Sequence, residues 1–204
     1  MRPFVISSIG RTGTMFLTDL CNLSPTHTVE HEWQYHGQDH SQYKIGRPEQ
    51  YLRAVRDSLL DEHPLCHINP YLRYNLSFFE DCAFTAIIYR NIREVIVSTI
   101  NRTREEEWET VMTNQVAWYK YYHSYLRDKQ HEIRFDLMTT NLPYLQLTLL
   151  KLGISDVTIT PEMMSKKVND TKTFKVSCWE EVPKSIQKIV NDSHVAETED
   201  KISI

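Results

Sequence analysis

The chain has 204 residues, 41% of them hydrophobic and 25% charged, a mix that fits one soluble domain with a true core and excludes fibrous and low-complexity classes. Its net charge of −4 excludes a broad cationic surface for nucleic acid or acidic membrane, so an anionic ligand must be gripped by a few basic residues in one pocket. The first apolar run, Phe4-Val5-Ile6, is too short for a signal peptide or a membrane span, and no later run is long enough, so a cytoplasmic location is expected.

Taken in order, Pro3 to Ser8 reads as a buried strand, Ile9 to Gly13 as a loop, and Thr14 to Leu23 as a helix with Phe16, Leu17, Leu20 and Leu23 on one face. Thr26 to Glu30 gives a second short strand. The polar and aromatic stretch from His31 to Gly46 reads as a long loop over the site. Pro48 to Leu60 is an amphipathic helix, Leu65 to Ile68 a strand, and Asn69-Pro70 opens a helix to about Phe79. Ala83 to Tyr89 is the clearest strand, rich in β-formers. Helices follow over Ile92 to Asn101 and Glu107 to Arg127, then a strand over Glu132 to Phe135 and a helix from Leu142 to Leu152, closed by Gly153. This alternation predicts an α/β fold: three α/β/α layers around a mostly parallel sheet. One domain over 1–190 and a polar, frayed tail over 191–204 are expected. Cys21, Cys66, Cys82 and Cys178 are scattered without zinc spacing and read as buried free thiols. His31, His36, His40 and Asp39 likewise lack regular ligand spacing, and no metal is expected.

Two segments carry chemistry. The strand-turn-helix at Phe4 to Thr14 places Gly10, Arg11, Thr12, Gly13 and Thr14 at a helix N-terminus, where backbone N–H groups and a cation cradle an anion. It lacks the spacing and the lysine of the nucleoside-triphosphate loop. A tight turn with an exposed arginine is the plain alternative. The second segment runs from Ile87 to Arg102. Arg90 ends the strongest strand, the edge at which open α/β sheets bind ligands, and Ser98 and Arg102 lie four apart on the next helix. A simple Arg90–Glu94 ion pair is the alternative there.

Together, Arg11-Thr12-Gly13-Thr14 and Tyr89-Arg90-Asn91-Ile92-Arg93-Glu94-Val95-Ile96-Val97-Ser98 resemble the PAPS-dependent sulfotransferase superfamily of P-loop type. The resemblance implies that the first loop, including Met15 where a second Thr is usual, binds the 5′-phosphosulfate, and that Arg90 and Ser98 bind the 3′-phosphate. The eight-residue step from Arg90 to Ser98 matches the family spacing, and Arg11 stands where many members have Lys. Ile133 to Leu137, with Pro143 and Leu149 to Gly153, is similar to the family's next conserved segment. Lys166-Lys167-Val168-Asn169 with Trp179 and Pro183 is similar to the tyrosylprotein sulfotransferase branch, which makes Lys166 a candidate cofactor contact beside the reading as a solvated charge run.

Sulfuryl transfer needs a base for the acceptor proton and a cation for the leaving oxygen. Arg11 fits the second role. Glu32 stands at the offset of the catalytic glutamate in the tyrosylprotein branch, and His67 stands near the catalytic histidine of cytosolic small-molecule members, so both remain candidates. Where that branch carries a lysine this chain has Ile68, and His67 is its neighbour. The acceptor, a small molecule or a peptide, is expected at 31–46 and 104–118, and the aromatic helix Trp118, Tyr119, Tyr121, Tyr122 and Tyr125 is expected to be mainly core. A P-loop nucleotide or small-molecule kinase using Asp136 for Mg²⁺, or a catalytically silent nucleotide-binding module, are the competing readings.

Overall fold

A computed structural model describes residues 2–9, 11–32, 48–165 and 175–196. Five strands, β1 (Phe4–Ser7), β2 (Thr28–His31), β3 (Leu65–Ile68), β4 (Phe84–Tyr89) and β5 (His131–Arg134), form one sheet in the order β2-β3-β1-β4-β5, and every pairing is parallel. The helices are α1 (Thr14–Cys21), α2 (Pro48–Leu59), α3 (Ile92–Ile100), α4 (Trp108–Tyr121), α5 (Phe135–Thr140), α6 (Leu142–Lys151), α7 (Pro161–Ser165) and α8 (Lys184–Asp192).

The two-residue period of a strand divides the apolar side chains between two cores. Phe4, Ile6, Cys66, Ile68, Ala86, Ile88 and Ile133 point to one face, where α1, α5 and α6 cover them with Leu17, Met138 and Leu145. Val5, Ile87 and Tyr89 point to the other, under α2, α3, α4 and α8 with Val55, Val95, Met112 and Val190. Burial on both faces is why these strands read as apolar runs and not as alternating ones. The result is the expected three-layer α/β/α arrangement.

Several local expectations need correction. The stretch after Asn69 is two 3₁₀ turns, Pro70–Leu72 and Leu76–Phe79, held by bonds such as Asn75 N to Leu72 O (2.9 Å), not one α-helix. A 3₁₀ turn rises further per residue, which suits a crossover returning along the full sheet to the start of β4. The helix placed over Glu107 to Arg127 is α-helical only to Tyr121 and continues as a π turn, Tyr122–Leu126. Phe135 opens α5 and does not close β5. Order also extends past the expected boundary at 190: α8 runs to Asp192, and Val195 and Ala196 are buried in the core. Of the four free cysteines, Cys21 and Cys66 are buried, Cys82 is partly covered and Cys178 is exposed. Among the described residues, no helix is long and apolar enough to cross a membrane, and no cluster of three His, Cys, Asp or Glu side chains could hold a metal.

Candidate anion-binding site

The sheet order fixes where a ligand can sit. From β1 the chain leaves toward β2 on one side of the sheet, and from β4 it leaves toward β5 on the other. Diverging connections open a crevice beyond the C-terminal ends of β1 and β4, the switch point at which open α/β sheets bind ligands. The turn after β1 carries Arg11 to Thr14; the turn after β4 carries Arg90.

In the first turn, Gly13 caps α1 from the left-handed region (φ 79°) and, having no side chain, offers the first amides no cap bond. The first intrahelical bond is Leu17 N to Gly13 O (3.1 Å), so the amides of Thr14, Met15 and Phe16 face the crevice without an intrahelical partner. They meet the positive end of the helix dipole there. Gly13 is required by space as well as by φ: a Cβ would lie 2.5 and 2.6 Å from two carbons of the Phe135 ring. Arg11 holds a left-handed conformation (φ 56°) that glycine normally occupies, a local strain. The Thr12 hydroxyl is wholly buried with no hydrogen-bond partner among the described residues, which is costly unless a ligand supplies one. Met15 is half-buried at the second position of α1.

The second turn closes on the first. Arg90 donates from Nη1 to the Arg11 carbonyl at 2.9 Å, and its guanidinium lies 4.3 Å from the centre of the Phe135 ring. The Arg90–Glu94 ion pair weighed as the plain alternative does form, at 2.9 Å, on the exposed side of α3. It coexists with the inward contacts. Arg11 Nε in turn donates to Ser98 Oγ at 3.3 Å, so the two anion segments meet directly. Burial, then the neighbouring charges of Arg102 and Arg90, pull the Arg11 guanidinium down to about 10, with Glu32 opposing them. Arg11 stays cationic at neutral pH. Its neighbourhood nevertheless holds three guanidiniums, a concentration of charge that an anion would relieve.

Glu32 follows β2 directly, at the same sheet edge, and also sits in the left-handed region (φ 52°) with its amide bonded to Ile68 O at 3.3 Å. Its carboxylate is near His31 (3.7 Å), and His31 Nε2 reaches Thr14 Oγ1 at 2.8 Å, so β2 is tied to the first turn. His67 is placed differently. It is fully buried between β3 and α2, with Nε2 2.8 Å from Ser58 Oγ, and burial pulls its imidazole down to about 4. The structure therefore gathers Arg11, Thr12, Gly13, Thr14, Arg90, Ser98, Arg102 and Glu32 around one crevice and leaves His67 in the core. Gly10 and Lys166 lie outside the described residues, as do residues 33–46 of the expected overlying loop. The second expected acceptor segment, 104–118, is a short 3₁₀ turn, Glu105–Glu107, followed by α4.

Two contributors escaped sequence reasoning. Phe135 backs both Gly13 and Arg90; the resemblance of Ile133 to Leu137 to a family segment covers it, but its contacts with the two anion segments were not legible. His31 falls in the segment expected over the site, but its bond to Thr14 spans 17 residues and leaves no local pattern.

No protein-family model matches the chain, and no curated protein matches it in sequence. Among solved structures, a sulfotransferase from Alicyclobacillus acidocaldarius superposes with a TM-score of 0.53, covering 97% of this chain and 95% of its own, at 15% identity. A retinol dehydratase in complex with androsterone and the inactive cofactor PAP gives a TM-score of 0.46, covering 95% and 81% of the two chains, at 14% identity. The chain is built on the fold of the first of these proteins, over nearly its whole length.

Proposed function

We propose that this chain is a PAPS-dependent sulfotransferase that moves a sulfuryl group to an acceptor hydroxyl or amine. The observation that carries this reading is the direct meeting of the two anion segments, Arg11 Nε on Ser98 Oγ and Arg90 Nη1 on Arg11 O, at the β1/β4 switch point. Three guanidiniums, the free amides of α1 and the unpartnered Thr12 hydroxyl form a donor set for a ligand carrying two separate anionic groups. A nucleotide with a phosphate at each end of its ribose fits that set.

The α1 amides with Thr12, Thr14 and Arg11 would hold the 5′ end, and Arg90, Ser98 and Arg102 the 3′-phosphate. By family resemblance, Lys166 is a further proposed contact. When bound, PAPS supplies an electrophilic sulfur and a phosphate leaving group. Arg11 neutralises the charge that builds on the leaving oxygen. Glu32 takes the acceptor's proton on a carboxylate oxygen as the new bond to sulfur forms and the bond to the phosphate oxygen breaks. His67 is a poorer base, because its ring is sealed in the core and bonded to Ser58. The kinase reading loses its carboxylate: Asp136 is paired with Arg134 through two bonds, at 2.9 and 3.0 Å.

The test is transfer from PAPS to a panel of phenols, alcohols and amines in the presence of a metal chelator. Turnover is expected without divalent metal. Glu32→Gln should lower kcat by about a hundredfold or more while nucleotide affinity changes little. Strict dependence on Mg²⁺ and ATP would establish the kinase, and tight nucleotide binding with no transfer would establish the silent module. Full activity in Glu32→Gln would remove Glu32 as the base.

A further inference from the structure

We propose that Tyr119 is a positioning residue for Arg90, aiming its guanidinium from behind so that the site distinguishes nucleotides carrying a 3′-phosphate from those without one. The inference rests on reading the Arg90 side of the crevice as the 3′-phosphate site. Arg90 occupies an awkward place in the backbone. β4 ends at Tyr89 and α3 begins at Ile92, and the Asn91 side chain caps α3 by accepting from Arg93 N at 2.9 Å. The Arg90 carbonyl thus belongs neither to the strand nor to the helix. Tyr119, 29 residues further on in α4, donates its phenolic hydrogen to that carbonyl.

The tyrosine cannot easily swing away. It is completely buried, and its ring packs edge-on against Tyr89 (6.0 Å, 75°) and Trp118 (5.4 Å, 85°) and stacks on His123 (6.4 Å, 29°). Arg90 is consequently held at both ends. Tyr119 fixes its backbone, and Glu94, the Arg11 carbonyl and the Phe135 ring fix its guanidinium. An arginine whose main chain is free to rotate would present its fork over a range of directions; one pinned at the carbonyl presents it in one. A phenylalanine would fill the same apolar space, so packing alone does not call for the hydroxyl.

The experiment compares wild type and Tyr119→Phe in calorimetric titrations with 3′-phosphoadenosine-5′-phosphate and with AMP, which shares the 5′ end alone. The variant is expected to weaken the bisphosphate five- to twentyfold and AMP less than twofold. Trp118→Phe disturbs the same aromatic layer without touching Arg90; it should lower the melting temperature and leave the ratio of the two affinities unchanged. In an Arg90→Gln background, Tyr119→Phe should have no further effect on that ratio. Equal weakening of both nucleotides by Tyr119→Phe, or an unchanged ratio, overturns the proposal, as does a Trp118→Phe ratio shifted just as far. If wild type itself does not prefer the bisphosphate over AMP, the assignment of the 3′ site fails, and the role of Tyr119 falls with it.

Discussion

One added carbon at Gly13 would meet Phe135 at 2.5 Å and would have to hold φ at 79°. Gly13→Ala is therefore expected to destabilise the fold by about 2 kcal/mol and to cost most of the nucleotide affinity. Shrinking the opposing ring with Phe135→Leu should return part of the stability, measured by urea unfolding of the single and double variants. Additive losses would mean that the two positions do not touch. At this scale the sequence was informative wherever spacing carried the signal. Arg11, Arg90 and Ser98 could be read because strand ends and helical steps set where they project. Phe135, His31 and Tyr119 could not, since their roles lie in contacts with residues far away in the chain, which no local pattern encodes.

The strands and most helices were legible from periodicity, β3 to the residue. The failures have a common cause. The 3₁₀ turns after Asn69 and the π turn after Tyr121 are set by the span a crossover must cover and by aromatic packing, neither of which appears in a window of local propensity. Where β3 packs on α2, His67 makes a consequence measurable. Its folded pKa of about 4 lies below its ordinary value near 6.5, so the folded chain keeps the imidazole neutral while the unfolded chain protonates it. Stability from this site is complete above pH 6.5 and is lost as pH falls toward 4. His67→Gln should flatten the decline between pH 6.5 and 5 by roughly 2 kcal/mol. A smaller slope should persist, because burial lowers His123 in the same direction. An identical pH dependence in the variant would show that His67 is not buried neutral.

Over the whole molecule, the formal charge of −4 conceals a local excess of cations at one end of the sheet. The order of the strands explains how a few arginines can gather in a chain of net negative charge: crossovers on opposite sides of β1 and β4 bring residues 11, 90 and 98 together from distant parts of the sequence. The identity of an acceptor was not legible, because the walls around the site depend on tertiary packing, which no local pattern in 31–46 or 104–118 encodes. The two anion segments remain the centre of the proposed function.

The direct measurement is the melting temperature with 3′-phosphoadenosine-5′-phosphate, set against AMP and ATP, for wild type and Arg90→Gln. At a hundredfold excess over Kd the bisphosphate should raise the wild-type midpoint by about 5–10 °C, well beyond either competitor, and Arg90→Gln should abolish most of that difference. A midpoint that ignores the bisphosphate, or responds equally to AMP, would contradict a crevice built to hold a phosphate at each end of one nucleotide.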